Sequence, residues 1–84
     1  MYYVYVLKSK KDGDSYTGST DNLRRRFKEH NSGQVISTKF RRPLVLVYYE
    51  AYSSELDARN RENSLKLKSN AYAQLRRRIP YSLL

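Results

Sequence analysis

Residues Tyr2–Leu7 read YYVYVL, a run in which both alternating sets of side chains are apolar or aromatic. A strand sends successive side chains to opposite faces, so such a run is stable only where both faces are covered. In a chain of 84 residues that demand fixes much of the architecture. At this size folding buries roughly 60% of the surface the unfolded chain exposes, enough for one modest core. The expectation is one α+β domain over residues 1–84, a small antiparallel sheet packed with helices.

The remaining elements follow from the same pattern. Lys10-Lys11-Asp12-Gly13 supplies a turn, with Gly13 free to take positive φ. Ser15 to Ser19 is a second short strand that closes a hairpin, and Gly18 marks a place where backbone must bend or come close to something. A helix starts from Thr20 or Asp21, either of which can cap it, and carries Leu23, Phe27 and Asn31 at helical spacing. It stops near Ser32-Gly33. Residues 34–43 read as a basic loop with room for a turn of helix, and Leu44 to Tyr49 (LVLVYY) is the third strand. Ser54 followed by Asp57 resembles a capping box and opens a helix to about Leu67. A last helix, from Ser69 or Asn70 to Arg78, places Tyr72, Leu75 and Ile79 on one face before Pro80.

Composition narrows the chemistry. With no cysteine there is no disulfide, thiolate metal site or cysteine nucleophile, and a single histidine excludes an all-protein zinc site. A metal bound here must be a hard, oxygen-liking ion that keeps water or substrate oxygens as ligands. Seventeen Lys and Arg against eight Asp and Glu give a formal charge of +9, which points to a polyanionic partner. Arginine supplies ten of those cations, and its planar fork matches phosphate better than lysine does. No segment is long or apolar enough to span a bilayer, and the strand-like start does not read as a signal peptide. The expected compartment is the cytosol, or the nucleoid within it.

The informative residues are those that break the apolar pattern. Leu23, Arg26, Phe27 and His30 form one helical stripe, so a guanidinium and the chain's only imidazole share a face four residues apart. On the next helix Glu62 lies on the packed side with Ala58 and Leu65. Tyr5 and Tyr16 sit on the two strands of the hairpin, where two hydroxyls can meet. Each taken singly has a structural explanation: a snorkelling Arg, an ion-paired Glu, a packed Tyr. Together, Tyr5, Tyr16, Arg26, His30 and Glu62 make a coherent site for phosphodiester hydrolysis. A carboxylate holds one divalent ion, a guanidinium clamps the pentavalent phosphate, and a hydroxyl or imidazole positions and deprotonates water.

These residues carry a resemblance. Tyr3-Val4-Tyr5 followed by Tyr16-Thr17-Gly18 looks like the paired motifs of the GIY-YIG endonucleases. The sequence continues through Gly18-Ser19-Thr20, Asn22-Leu23, Arg26 and His30-Asn31, similar to the family's catalytic helix, and Glu62 with Lys66 after it falls where the family places its metal-binding glutamate. The resemblance covers nearly the whole chain. It implies a three-stranded antiparallel sheet flanked by helices and direct in-line hydrolysis without a covalent intermediate. It further implies that Tyr5 and Tyr16 serve at the water, one as base and the other as its partner. Arg26 would bind the scissile phosphate, Glu62 a single Mg²⁺ or Mn²⁺, and His30 would assist. Tyr3 stands in place of the first motif's glycine, and Val4 and Thr17 in place of its isoleucines, none of which removes a reacting group.

The expected substrate is nucleic acid, DNA more than RNA, cut on single strands or by structure. Arg24, Arg25, Lys28, Lys39, Arg41, Arg42 and Lys66 are the candidate phosphate contacts. The alternative is a basic nucleic-acid-binding module without catalysis, and the last-ranked one a protein-interaction role.

Overall fold

The computed structural model describes residues 1–67 and 70–83. Strand β1 (Tyr2–Ser9) is the centre of a three-stranded antiparallel sheet, flanked by β2 (Ser15–Thr20) and β3 (Leu44–Tyr52). Val4, Tyr5, Val6 and Leu7 are all fully buried, so the double cover that YYVYVL demands is present. On one face Val4 packs with Ala58 and Leu65 of helix α2 (Glu55–Lys66) and Leu75 of helix α3 (Asn70–Arg78). On the other, Tyr5 and Leu7 pack with Leu44 and with Leu23 and Phe27 of helix α1 (Leu23–Asn31). No described helix is long and apolar enough to cross a membrane.

Both flanking strands run further than their apolar runs. β3 continues past Tyr49 to Tyr52 because Glu50 is tolerated on the α2 side of the sheet. Its carboxylate accepts the hydroxyls of Tyr48 and Tyr52 and the fork of Arg61, with Nε at 2.9 Å and Nη2 at 3.0 Å. Burial alone would raise this carboxyl; the guanidinium and the two hydroxyls hold it below its ordinary value. Arg61 therefore ties α2 to β3.

The start of α1 corrects the expected cap. Thr20 is still in β2, paired with Tyr3, and Asp21 gives its carboxylate to the Arg25 guanidinium at 3.1 Å. Asn22 takes the position instead, with extended φ and ψ, and its side-chain oxygen accepts from Arg25 N at 3.1 Å. At the other end Asn31 clamps α1 to β3: its amide donates to the Leu44 carbonyl at 2.9 Å and accepts from Leu44 N at 2.8 Å. Ser54 caps α2, accepting from Asp57 N at 3.3 Å. The basic loop holds a single 3₁₀ turn at Lys39–Arg41. Gly13 has φ +76°, as the hairpin turn requires. α3 begins at Asn70; the Ser69 alternative lies outside the described residues.

One irregularity shapes the α1 side of the sheet. The β1–β3 register shifts between Val6 and Leu7, so that Tyr5 faces Tyr49 while Leu7 faces Leu46. A regular strand would send residues 46 and 49 to opposite faces; the bulge puts both under α1.

Replacing Glu50 by Ala is expected to destabilise the fold by about 2–3 kcal/mol, because it leaves Arg61 and two tyrosine hydroxyls without their partner in a largely buried position. Urea unfolding at neutral pH measures this, and a change below about 0.5 kcal/mol would sink the assignment of Glu50 as the lock between β3 and α2.

Candidate active site

Four of the five candidate groups, Tyr5, Tyr16, Arg26 and His30, are gathered where α1 crosses β1 and β2. The β1–β2 register pairs Tyr5 with Gly18 and Leu7 with Tyr16, so the two tyrosines lie diagonally on one face. Both rings meet the His30 ring edge-on, at centroid distances of 5.6 Å for Tyr5 and 5.1 Å for Tyr16. Gly18 explains how Tyr5 fits. A Cβ at that position would lie 2.5 Å from the Tyr5 hydroxyl oxygen and 2.6 Å from its ring carbon, closer than real atoms approach. Only glycine lets β2 pass over the tip of that side chain.

His30 is fully buried, and each ring nitrogen has a partner. Nε2 is 2.8 Å from the Tyr5 hydroxyl, and Nδ1 is 2.7 Å from Oγ1 of Thr38, itself fully buried. Burial first and the Arg26 charge second push the His30 pKa down to about 4, so the imidazole is neutral at neutral pH. Burial likewise pushes the Tyr5 hydroxyl up to about 12, against the opposing pull of Arg26. Arg26 beside the Tyr5 oxygen can only donate to it, and on that ground we assign the Tyr5 proton to Nε2. The imidazole then carries its own proton on Nδ1 and donates it to Thr38. Thr38, from the stretch read as loop, is a positioning residue that the sequence does not single out: a threonine in a polar loop has no periodicity to mark it.

Glu62 approaches from the other face of the sheet, at the β2 edge. Its carboxylate accepts the Ser19 hydroxyl at 2.6 Å and the Lys66 ammonium at 2.8 Å. The same ammonium lies 6.0 Å from the centre of the Tyr16 ring, which links the two sides of the edge strand. The negative charge of Glu62 reaches Tyr5 and opposes its ionisation. Arg26 is half-exposed and gives one nitrogen to Glu29 at 3.0 Å, leaving donors of its fork uncommitted. All five residues singled out from the sequence therefore belong to one region.

A lone carboxylate is a particular kind of metal ligand. Among the described residues no group of three His, Cys, Asp or Glu is arranged to hold an ion. Glu62 thus suits a hard divalent cation that keeps the rest of its coordination for water and phosphate oxygens. The Lys66 ammonium stands where such a cation would be drawn, on a side chain exposed enough to withdraw.

The candidate phosphate contacts divide into two sets. Arg25 is shared by Asp21 and Glu29, and Arg41 holds Asp12 at 2.8 Å, tying the 3₁₀ turn to the hairpin turn. Arg24, Lys28, Lys39 and Arg42 have no carboxylate partner among the described residues.

This fold and site define a small nuclease domain of the GIY-YIG class. The family profile of the GIY-YIG catalytic domain matches residues 1–77, and the chain belongs to that family. It is 47% identical over 66 residues to a UPF0213 protein of Staphylococcus haemolyticus, covering 77% of this chain and 79% of that protein. A UPF0213 protein of Clostridium perfringens is 44% identical over 77 residues, covering 89% and 82%. The solution NMR structure of a UPF0213 protein from Bacillus halodurans superposes with a TM-score of 0.58 at 35% identity, over 99% of this chain and 93% of that one.

Two outcomes follow from the buried imidazole. A histidine whose folded pKa lies below its unfolded value stabilises the fold fully above about pH 6.5, and that contribution is lost as pH falls toward 4. Between pH 7 and 5 the unfolding free energy should drop by about 2 kcal/mol, and His30→Asn should flatten that slope. An unchanged slope in the variant would refute it. Separately, Thr38→Val should cost about 1–2 kcal/mol by stranding the Nδ1 proton, while Thr38→Ser should restore it. Because His30 is the chain's only histidine, its ¹⁵N spectrum reports the tautomer unambiguously. An Nε2-protonated ring in the unaltered protein would overturn the assignment.

Proposed function

We propose that this protein is a metal-dependent endonuclease, a single GIY-YIG catalytic domain that hydrolyses phosphodiester bonds of DNA by in-line attack of water. The observation that carries the reading is the convergence of Tyr5, Tyr16 and Arg26 around the buried His30, with the Glu62 carboxylate at the adjoining strand edge.

Each group has a part that its surroundings support. Glu62 is the residue to hold Mg²⁺ or Mn²⁺, which when bound supplies charge stabilisation to the phosphate and to the leaving oxygen. Arg26, with donors to spare, clamps the scissile phosphate and stabilises the charge that builds on its oxygens. Tyr5 presents an oxygen to the attacking water while its own hydrogen points at His30 Nε2. As the water loses a proton to the Tyr5 oxygen, the Tyr5 proton passes to Nε2, so the base is the tyrosine–histidine pair. Tyr16 orients the same water. Thr38 keeps the imidazole in the tautomer that leaves Nε2 free to accept.

The bare domain offers few groups to read base edges, whereas its unpartnered cations supply contacts to phosphate that carry no sequence information. The reading is therefore of a nuclease selective for strand state or structure.

End-labelled single-stranded, duplex and branched DNA, and RNA, incubated with Mg²⁺, Mn²⁺ or EDTA, provide the test. Metal-dependent cutting is expected, reduced by roughly 100-fold or more in Glu62→Gln, with binding retained. Absence of cutting on every substrate, with salt-sensitive binding intact, would replace the enzyme by a basic binding module.

A further inference from the structure

The α1 side of the sheet is not fully covered. Beside α1, Tyr3 of β1 and Leu46 and Tyr49 of β3 form an open groove of about 540 Å³ with Leu23 and Phe27, and Asp21, Asn22 and Arg24 complete its lining. It exists because of the bulge that turns Leu46 and Tyr49 to the same face. The two tyrosine rings are 6.1 Å apart and tilted by 60°, and Tyr49 is 53% exposed although it sits on an apolar floor. Neither tyrosine hydroxyl is hydrogen-bonded within the protein among the described residues. Tyr3 stands where the family's first motif has glycine, so half of this aromatic pair comes from a departure from the motif.

We propose that this groove receives one unpaired nucleobase of the substrate, stacked on Tyr49 and Tyr3, and that the protein consequently prefers single-stranded to duplex nucleic acid. The inference rests on the nucleic-acid reading above. Three observations select this occupant. The groove pairs an exposed aromatic face with an apolar floor, the surface on which a flat base stacks without regard to its identity. Arg24 in its lining has no carboxylate partner among the described residues and is the cation available to that nucleotide's phosphate, while the Asp21 carboxylate in the same lining is offset by Arg25. The groove also adjoins the reacting groups: Phe27 follows Arg26 on α1, and Tyr3 lies two residues before Tyr5 on the same face of β1. A strand clamped at Arg26 thus has a stacking platform beside it. A base inside a duplex is already stacked on both faces and cannot enter.

The experiment measures binding in EDTA, where no strand is cut, to a 15-nucleotide thymidine oligomer, the same oligomer annealed to its complement, and an abasic oligomer of equal length. The unaltered protein should bind the thymidine oligomer roughly 5- to 150-fold more tightly than the abasic one, the range of one stacked base. Tyr49→Ser should erase that advantage while leaving the dependence on salt unchanged, since the phosphate contacts remain. Tyr49→Phe, which keeps the ring, should bind as the unaltered protein does, and this guards against a folding defect. Equal affinity for thymidine and abasic oligomers, undiminished binding by Tyr49→Ser, or tighter binding of the duplex would overturn the proposal and leave the nuclease reading intact. A loss of self-association in Tyr49→Ser without loss of binding would do the same, by assigning the groove to a second copy of the chain. Failure to bind any oligomer would overturn the nucleic-acid reading itself, and this inference with it.

Discussion

The close passage of Gly18 over the tip of Tyr5 sets the spacing on which the α1 side of the molecule is built. Tyr5 is a large polar-tipped side chain on the central strand, and it is buried because α1 lies across it. Such a side chain needs a partner for its hydroxyl, and the partner available is the buried imidazole of His30. The imidazole in turn needs a partner for its second nitrogen, which reaches Thr38 in the loop before β3. One steric concession on β2 therefore propagates through three buried polar groups to a loop that would otherwise be free. The network stabilises the fold only because every member is satisfied, and no described buried polar side-chain atom lacks a partner.

Adjacent residues on α2 hold two carboxylates in different ways. Arg61 locks onto Glu50 with a bidentate fork, aided by two tyrosines, and fastens α2 against the sheet. Glu62, next in sequence, reaches Ser19 and, among the described residues, otherwise meets the half-exposed Lys66. A carboxylate held by a guanidinium fork is committed; one held by a hydroxyl and a half-exposed ammonium is less so. The rigid pair thus holds in place the helix that carries the exchangeable one.

Much of this was legible in the sequence because it follows from periodicity. A strand apolar on both faces requires covers on both, and α1 on one side with α2 and α3 on the other provide them. The stripe of Leu23, Arg26, Phe27 and His30 placed a cation and an imidazole at the same spot, where the structure has them. What escaped depended on contacts between distant segments. The helix cap fell on Asn22 because its two equally suitable neighbours were taken by a strand pairing and an ion pair. β3 outran its apolar run because Arg61 makes Glu50 acceptable there. Thr38 has no local signature, since its role exists only once α1 and the loop are in contact.

The charge of +9 is likewise not a uniform property of the surface. Arg25, Arg41 and Arg61 are spent within the fold on carboxylates of α1, of the hairpin turn and of β3. Arg24 and Lys28 project from α1 without such partners among the described residues, and Arg42 meets only a backbone carbonyl there. Unpaired cations therefore line α1 and the loop after it, the elements that also carry Arg26, His30 and Thr38, while Arg76, Arg77 and Arg78 form a second basic group at the end of α3. A strand attracted by this charge is delivered to the side of the sheet where the tyrosines lie. Because α1 is clamped at its far end by Asn31 to β3, that track has a fixed orientation relative to Tyr5. Attraction and alignment thus derive from one helix.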